Sequence, residues 1–152
     1  MEQGDAIPAV TVTTAAGEPL ALRELAGPLV VYFYPKDDTS GCTREAQDFT
    51  ALAPAFADAG VRVIGMSKDS PAKHRRFAEK HALTVELASD EDGAACEAFG
   101  VWGEKMLYGK TYMGIERATF LFGRDGRLVQ SWRKVKVPGH AEAVLEAARA
   151  LS

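Results

Sequence analysis

Cys42 is the side chain in this sequence best placed to act as a nucleophile. It stands at the end of Thr39-Ser40-Gly41-Cys42, just after an apolar run that stops at Pro35 and just before an amphipathic stretch. Leu29 to Tyr34 has the length and the β-branched, aromatic content of a buried strand, and the residues after Cys42 have helical spacing. The cysteine therefore falls at a strand-to-helix junction. N–H groups in the first turn of a helix lack intrahelical partners, and the macrodipole adds partial positive charge there, so an anion is favoured. For cysteine that anion is the thiolate, the form that attacks electrophiles. An isolated free cysteine is more often a small buried hydrophobe. Here the small, polar neighbours predict an accessible thiol, and Thr39 adds a hydroxyl able to donate to the thiolate or to a bound oxygen.

The elements that must hold this junction can be read along the chain. Val10 to Thr13 and Leu20 to Leu22, joined through Ala16-Gly17-Glu18, predict an N-terminal β-hairpin, with a brief helical turn at Arg23 to Leu25. After Cys42, the residues Ala46, Phe49, Leu52, Ala53 and Phe56 line one helical face up to Gly60, with a kink expected at Pro54. Val61 to Met66 is a second buried strand, which completes a right-handed βαβ unit with parallel strands. Ser70-Pro71 starts a helix that runs to about His81, followed by a strand near Val85 to Ala88. Ser89-Asp90-Glu91-Asp92 has capping-box spacing ahead of a helix that carries Cys96 and Phe99 and stops at Gly100. Residues 101–116 lack clean periodicity and read as a long ordered loop. Ala118 to Phe122 and Leu128 to Trp132 form an antiparallel hairpin about Gly123-Arg124-Asp125-Gly126, and a helix follows Pro138. This order is that of an α/β, thioredoxin-like fold: a central mixed sheet flanked by helices, with the N-terminal hairpin as an extension.

Composition narrows the function classes. The 152 residues fit a single domain over 1–152 with an ordinary core. A net charge of -3 gives no footprint for nucleic acid, and no apolar run approaches the ~20 residues of a membrane span. With no apolar leader at the N-terminus, the expected location is cytoplasmic. Two widely separated cysteines and three histidines make neither a disulfide framework nor a zinc site. The expected state is monomeric, since no segment outside the core reads as a large apolar patch.

The segment Tyr32-Phe-Tyr-Pro-Lys-Asp-Asp-Thr-Ser-Gly-Cys-Thr-Arg-Glu-Ala46 resembles the active-site signature of peroxiredoxins, P-x-x-x-T-x-x-C, and in particular the peroxiredoxin Q or bacterioferritin comigratory protein group. Pro35, Thr39 and Cys42 carry the match, and Ser40 stands where the group usually has proline. A second block, Tyr108 to Phe122, resembles the group's later segment, in which an arginine, here Arg117, precedes Thr-Phe-Leu. The resemblance spans about Gly4 to Leu151. It implies a thiol-dependent peroxidase that reduces hydrogen peroxide and organic hydroperoxides, taking Cys42 to a sulfenic acid and using thioredoxin or a similar dithiol as reductant, with no metal, haem or flavin. By the same resemblance Thr39 and Arg117 are donors to the reacting oxygens and Pro35 covers the pocket. Glu45 holds the arginine, although an acidic residue in a first turn is also favoured by the helix dipole alone.

Cys96 reads two ways. It is a resolving cysteine, or a buried thiol packed beside Phe99. The group's usual resolving position, five residues after the reactive cysteine, is Gln47 here. His74, His81 and His140 read as solvated helix-face residues, and Trp102, Tyr108 and Tyr112 as either packed or substrate-facing. Two other functions compete: a thiol-disulfide oxidoreductase, disfavoured because Thr39 occupies the first position of a C-x-x-C, and a redox-sensing binding module that uses Cys42.

Overall fold

The computed structural model describes residues 1–25 and 27–151, which leaves Ala26 and Ser152 outside the account. The chain runs β1 (Thr11–Thr14), β2 (Pro19–Ala21), a 3₁₀ turn (Leu22–Glu24), β3 (Leu29–Phe33), α1 (Ser40–Ala51), α2 (Ala53–Asp58), β4 (Arg62–Ser67), α3 (Pro71–His81) and β5 (Glu86–Ser89). It continues through α4 (Ala94–Ala98), β6 (Trp102–Leu107), β7 (Lys110–Ile115), β8 (Ala118–Phe122), β9 (Leu128–Trp132) and α5 (His140–Arg149). Seven strands form one sheet in the order β2-β1-β5-β4-β3-β8-β9. β3, β4 and β5 are parallel neighbours, whereas β8, β9, β1 and β2 pair antiparallel.

β3 lies inside this sheet and all five of its residues are buried, as a strand covered on both faces must be. Its side chains alternate between two separate cores. Val31 and Phe33 face one core, with Ile7, Val12 and Leu22 from the N-terminal extension and Cys96 and Phe99 from α4 and its end. Val30, Tyr32 and Tyr34 face the other, with Phe49 of α1, Phe56 of α2, Phe77 of α3 and Val144 and Leu145 of α5. Burying an aromatic or aliphatic side chain of this size contributes about 1.5–3 kcal/mol. Tyr32 stacks on Phe49 at 4.4 Å between ring centres, so the strand that leads to Cys42 and the helix that carries it share one aromatic contact.

Three local expectations change. Pro54 divides the helical stretch instead of only bending it: α1 ends at Ala51, Leu52 adopts φ -93 and ψ 0, and α2 starts at Ala53. Proline has no N–H for the carbonyl of the preceding turn but fits the first turn of a new helix. The helix after β5 is capped by Asp90, not Ser89, with Asp90 Oδ1 and Oδ2 accepting from the Ala95 and Cys96 amides at 2.9 and 2.8 Å. Gly93, with φ +79, makes the left-handed entry.

The third change is the largest. Residues 101–116 are not a loop but a β6–β7 hairpin whose register runs from Trp102↔Ile115 to Leu107↔Lys110. Its turn residues Tyr108 and Gly109 both have positive φ, the arrangement of a two-residue I′ turn. Most of the arm is solvated on both faces, so no alternating apolar pattern marked it as strand. It also overturns the expectation of no apolar patch outside the core, since Met106 is 71% exposed, Tyr108 95% and Met113 52%.

The Tyr32↔Gly65 pairing between β3 and β4 produces a stability prediction. A Cβ at position 65 would lie 2.5 Å from Cζ and the hydroxyl of Tyr32, a ring fixed from above by Phe49. Gly65→Ala is expected to destabilise the fold by about 1–3 kcal/mol, the usual cost of overpacking. Urea unfolding would show it, and an unchanged midpoint would mean that the Tyr32 ring is free to move aside.

Candidate active site

Arg117 immediately precedes β8, and strand alternation puts its side chain on the same side as Thr119 and Leu121, the side of the sheet covered by α1. There Nη2 donates to Cys42 Sγ at 3.2 Å and Nη1 donates to Glu45 Oε1 at 2.6 Å. Cys42 and Glu45 are three residues apart on α1 and so share a helix face, which lets one guanidinium reach both. Gly41 permits the approach: a Cβ there would lie 3.3 Å from Arg117 Nη2. Glu116 projects the other way and pairs with Arg133 at 2.7 Å, which removes it as a partner for Arg117.

The first carbonyl-bound amide of α1 is Thr43 N–H, which donates to Thr39 O at 2.8 Å. The preceding amides of Ser40, Gly41 and Cys42 have no intrahelical acceptor and supply the partial positive charge expected beside the sulfur. Cys42 is only 2% exposed, so the thiol is covered and not open as its small neighbours suggested. Thr39 precedes the helix, and its hydroxyl donates to Lys36 O at 3.0 Å. In this arrangement the lone pairs of Thr39 Oγ1, not its proton, are free toward a substrate. Pro35 is half-buried where β3 runs out.

Burial and charge set the ionisation of the neighbours. Glu45 is pushed up to about 7, chiefly by burial, with Arg117 pulling the other way. Its Oε2 has no hydrogen-bond partner among the described residues. Arg117 is held above its ordinary value because Glu45 and Cys42 outweigh the effect of its own burial. Tyr32 is pushed well above the usual phenol range by burial and then by Glu45, Cys42 and Asp37, so it stays protonated. His140, bonded to Thr119 Oγ1 at 2.7 Å, is brought down to about 4 by burial and by the charge of Arg117. Its imidazole is neutral at physiological pH, which leaves Arg117 as the cation at the sulfur.

Cys96 is fully buried in the other core, among Phe33, Phe99 and Phe120. The whole thickness of the sheet separates it from Cys42, and both thiols are free. Burial, followed by the nearby Asp90 carboxylate, pushes the Cys96 thiol above its usual range, and a thiol so disfavoured as thiolate is a poor attacking group. The histidines also depart from their expected roles. His74 and His140 are buried and only His81 is partly exposed. His74 bonds to Asp37, a residue of the 35–39 loop not singled out in the sequence. Its one sequence signal is its place between Pro35 and Thr39.

With this geometry in hand, the relatives are informative. The AhpC/TSA family profile matches residues 3–131, and the chain belongs to that family. It is 50% identical over 149 residues to Peroxiredoxin Bcp of Xanthomonas campestris pv. campestris, covering 95% of this chain and 93% of the relative. Peroxiredoxin Bcp of Bacillus subtilis is 44% identical over 153 residues, covering 100% and 98%. A solved X. campestris bacterioferritin comigratory protein, studied for alkyl peroxide reduction, superposes with a TM-score of 0.89 at 48% identity, over 96% of this chain and 98% of that one. Peroxidoxin BcpB of Mycobacterium tuberculosis gives 0.86 at 32% identity, over 100% and 99%. These similarities place the chain in the peroxiredoxin Q/Bcp group, with a thioredoxin-like fold and thiol-dependent peroxidase activity.

Glu45 generates a pH prediction. Its folded value, about 7, lies above its ordinary 4.5, so its contribution to stability is complete below about pH 4.5 and is lost as pH rises through 7. The loss is at most about 3 kcal/mol. In urea unfolding of the reduced protein, the stability of wild type relative to Glu45→Gln is expected to fall between pH 4.5 and 7 and then level off. A difference that stays flat over that range would mean that Arg117 keeps Glu45 ionised throughout.

Proposed function

We propose that Cys42, Arg117, Thr39 and Pro35 form the peroxide site of a peroxidase that works with one cysteine of its own and is recycled by a thiol from outside the chain. The observation that carries this reading is the 3.2 Å contact of Arg117 Nη2 with Cys42 Sγ, in a place where Glu45 orients the same guanidinium. The Cys42 thiolate attacks one oxygen of the peroxide and the O–O bond breaks. Sulfur is oxidised to Cys42–SOH, and the leaving oxygen takes a proton to become water or an alcohol. Negative charge spreads from sulfur to the departing oxygen as this happens. Arg117 and the free amide of Cys42 are fixed donors for that charge, and fixed donors lower the barrier without reorganising. Thr39, its proton committed to Lys36 O, accepts from the peroxide O–H and orients it.

Hydrogen peroxide and small organic hydroperoxides suit a sulfur this deeply covered. The sulfenic acid then condenses with an external thiol, releasing water and forming a mixed disulfide, which a second thiol of the reductant resolves. Thioredoxin or a similar dithiol protein is the reductant we propose. Placement of Cys96 across the sheet supports an external thiol, because a disulfide needs Cα atoms within about 7 Å. A monomer is the state we propose, on the ground that both faces of the main sheet are covered by the chain's own elements and the exposed apolar residues Met106, Tyr108 and Met113 are confined to the β6–β7 arm. No helix among the described residues is long and apolar enough to cross a membrane; the cytoplasm is the location we propose.

Stopped-flow consumption of hydrogen peroxide tests the site. Cys42→Ser is expected to abolish the fast reaction, and Arg117→Ala to slow it by roughly 10²–10³. A wild-type rate no greater than that of a simple thiol would end the reading. Mass measurement after one equivalent of peroxide tests recycling. A gain of one oxygen is expected, with Cys96→Ala retaining turnover on dithiothreitol, whereas a loss of two hydrogens would assign Cys96 the resolving role.

A further inference from the structure

The 35–39 loop and α3 form the walls of a cleft of about 320 Å³, and none of Cys42, Thr39 and Arg117 lines it. Phe77 lies at its floor, and Lys36, Lys73, Arg76 and Lys80 stand around it. Positions 73, 76, 77 and 80 follow i, i+3, i+4, i+7 spacing and so share one face of α3. The two walls are tied together. Oδ2 of the buried Asp37 lies 2.6 Å from His74 Nδ1, and the Asp37 amide donates to Asp69 Oδ2 at 2.8 Å. The Asp38 carboxylate takes Lys80 Nζ and His81 Nε2, each at 2.7 Å.

The cleft differs from the rest of the molecule in sign. The whole chain has a net charge of -3, yet α3 carries Lys73, Arg75, Arg76 and Lys80 against the single carboxylate of Glu79. Arg75 turns away from the cleft and donates to Ala15 O. Lys80 is engaged by Asp38, and Lys73 stands 3.9 Å from Asp69. Lys36 and Arg76 are exposed and make no ion pair among the described residues. Arg76 and Lys80 are four residues apart, and like charges at that spacing destabilise a helix. Opposite charge supplied from outside the chain would relieve them, and the aliphatic stems of these long side chains give such a partner apolar surface as well.

We propose that this cleft is the docking surface for the reductant, and that the reductant is a protein dithiol with carboxylates around its reactive cysteine. The inference rests on the peroxidase reading and deepens it by naming the partner's chemistry. In that reading Cys96 lies in the other core and each turnover brings an outside thiol to Cys42. The 35–39 wall runs directly into α1, whose third residue is Cys42, so a protein seated in the cleft presents its own sulfur beside the reacting one. A hydroperoxide is uncharged and gains nothing from cations outside its site. Nucleic acid does not fit a chain of net charge -3 with one short basic stripe. Transient redox encounters bury little area, so their rates depend on charges that steer the approach. Unpaired cations on the rim of the cleft supply that steering.

The test follows peroxide-dependent oxidation of two reductants, a thioredoxin of net negative charge and the small, uncharged dithiothreitol. For wild type, kcat/KM for thioredoxin is expected to fall about tenfold between low salt and ~0.3 M salt, with dithiothreitol turnover unchanged. Arg76→Glu is expected to lower kcat/KM for thioredoxin about tenfold at low salt and to remove most of the salt dependence, and Arg76→Gln to lower it about threefold. The new carboxylate of Arg76→Glu lies four residues before Lys80, a favourable helical pair, so α3 is kept. Arg124→Glu makes the same change of net charge at the exposed β8–β9 turn and is expected to behave as wild type. Oxidation of Cys42 by hydrogen peroxide is expected to be the same in all of them. A thioredoxin rate unmoved by Arg76→Glu or by salt would overturn the proposal, as would an equal loss in Arg124→Glu or a parallel loss with dithiothreitol. Absence of thioredoxin turnover beside intact dithiothreitol turnover would also overturn it. Failure of the peroxidase reading is separate, because wild-type Cys42 would then not be rapidly oxidised before any reductant is added.

Discussion

A single guanidinium held between a sulfur and a carboxylate organises this molecule. Arg117 belongs to the start of a strand, while Cys42 and Glu45 belong to the first turn and a half of a helix 75 and 72 positions earlier in the chain. Taking an arginine and a carboxylate out of water is expensive unless their geometry is good and their other groups are satisfied. The fold meets that demand from several sides. Strand alternation aims Arg117 and not Glu116 at α1, Gly41 leaves room for the guanidinium, and a neutral His140 adds no competing charge nearby. The remaining strain falls on Glu45, whose raised value and unpartnered Oε2 record an incomplete compensation.

The same alternation explains why the two cysteines lead different chemical lives. β3 divides its side chains between two cores, and α1 and α4 cover opposite faces of the sheet. Cys42 gains a cation and free amides. Cys96 gains aromatic neighbours and the Asp90 carboxylate, both of which oppose ionisation. Placement alone thus gives one thiol a cationic partner and the other an apolar surround.

Polar networks on α3 and the exposed β6–β7 arm show how much lies outside a motif. The 35–39 loop takes its shape from Asp37, Asp38, His74 and Lys80, residues that a sequence reader would assign to solvent. The hairpin is a strand pair without a core of its own, held by backbone pairing and by contacts such as Lys105 Nζ donating to Ile115 O at 2.8 Å.

The sequence by itself determined the junction and most of the elements around it. Leu29 to Tyr34 could only be a buried strand, Ser70-Pro71 could only open a helix, and Thr39, Cys42 and Arg117 were legible through two family-like blocks. These signals are local: turn chemistry, caps and apolar periods act over a few residues. Tertiary structure alone decided the rest. Which carboxylate Arg117 meets, which core Cys96 occupies, which histidines are buried and where Asp37 points all depend on which face of the sheet each element covers. Neither period nor composition encodes that, because it is settled by contacts between residues far apart in the chain. The β6–β7 hairpin escaped notice for the complementary reason, since strands solvated on both faces leave no apolar alternation to read.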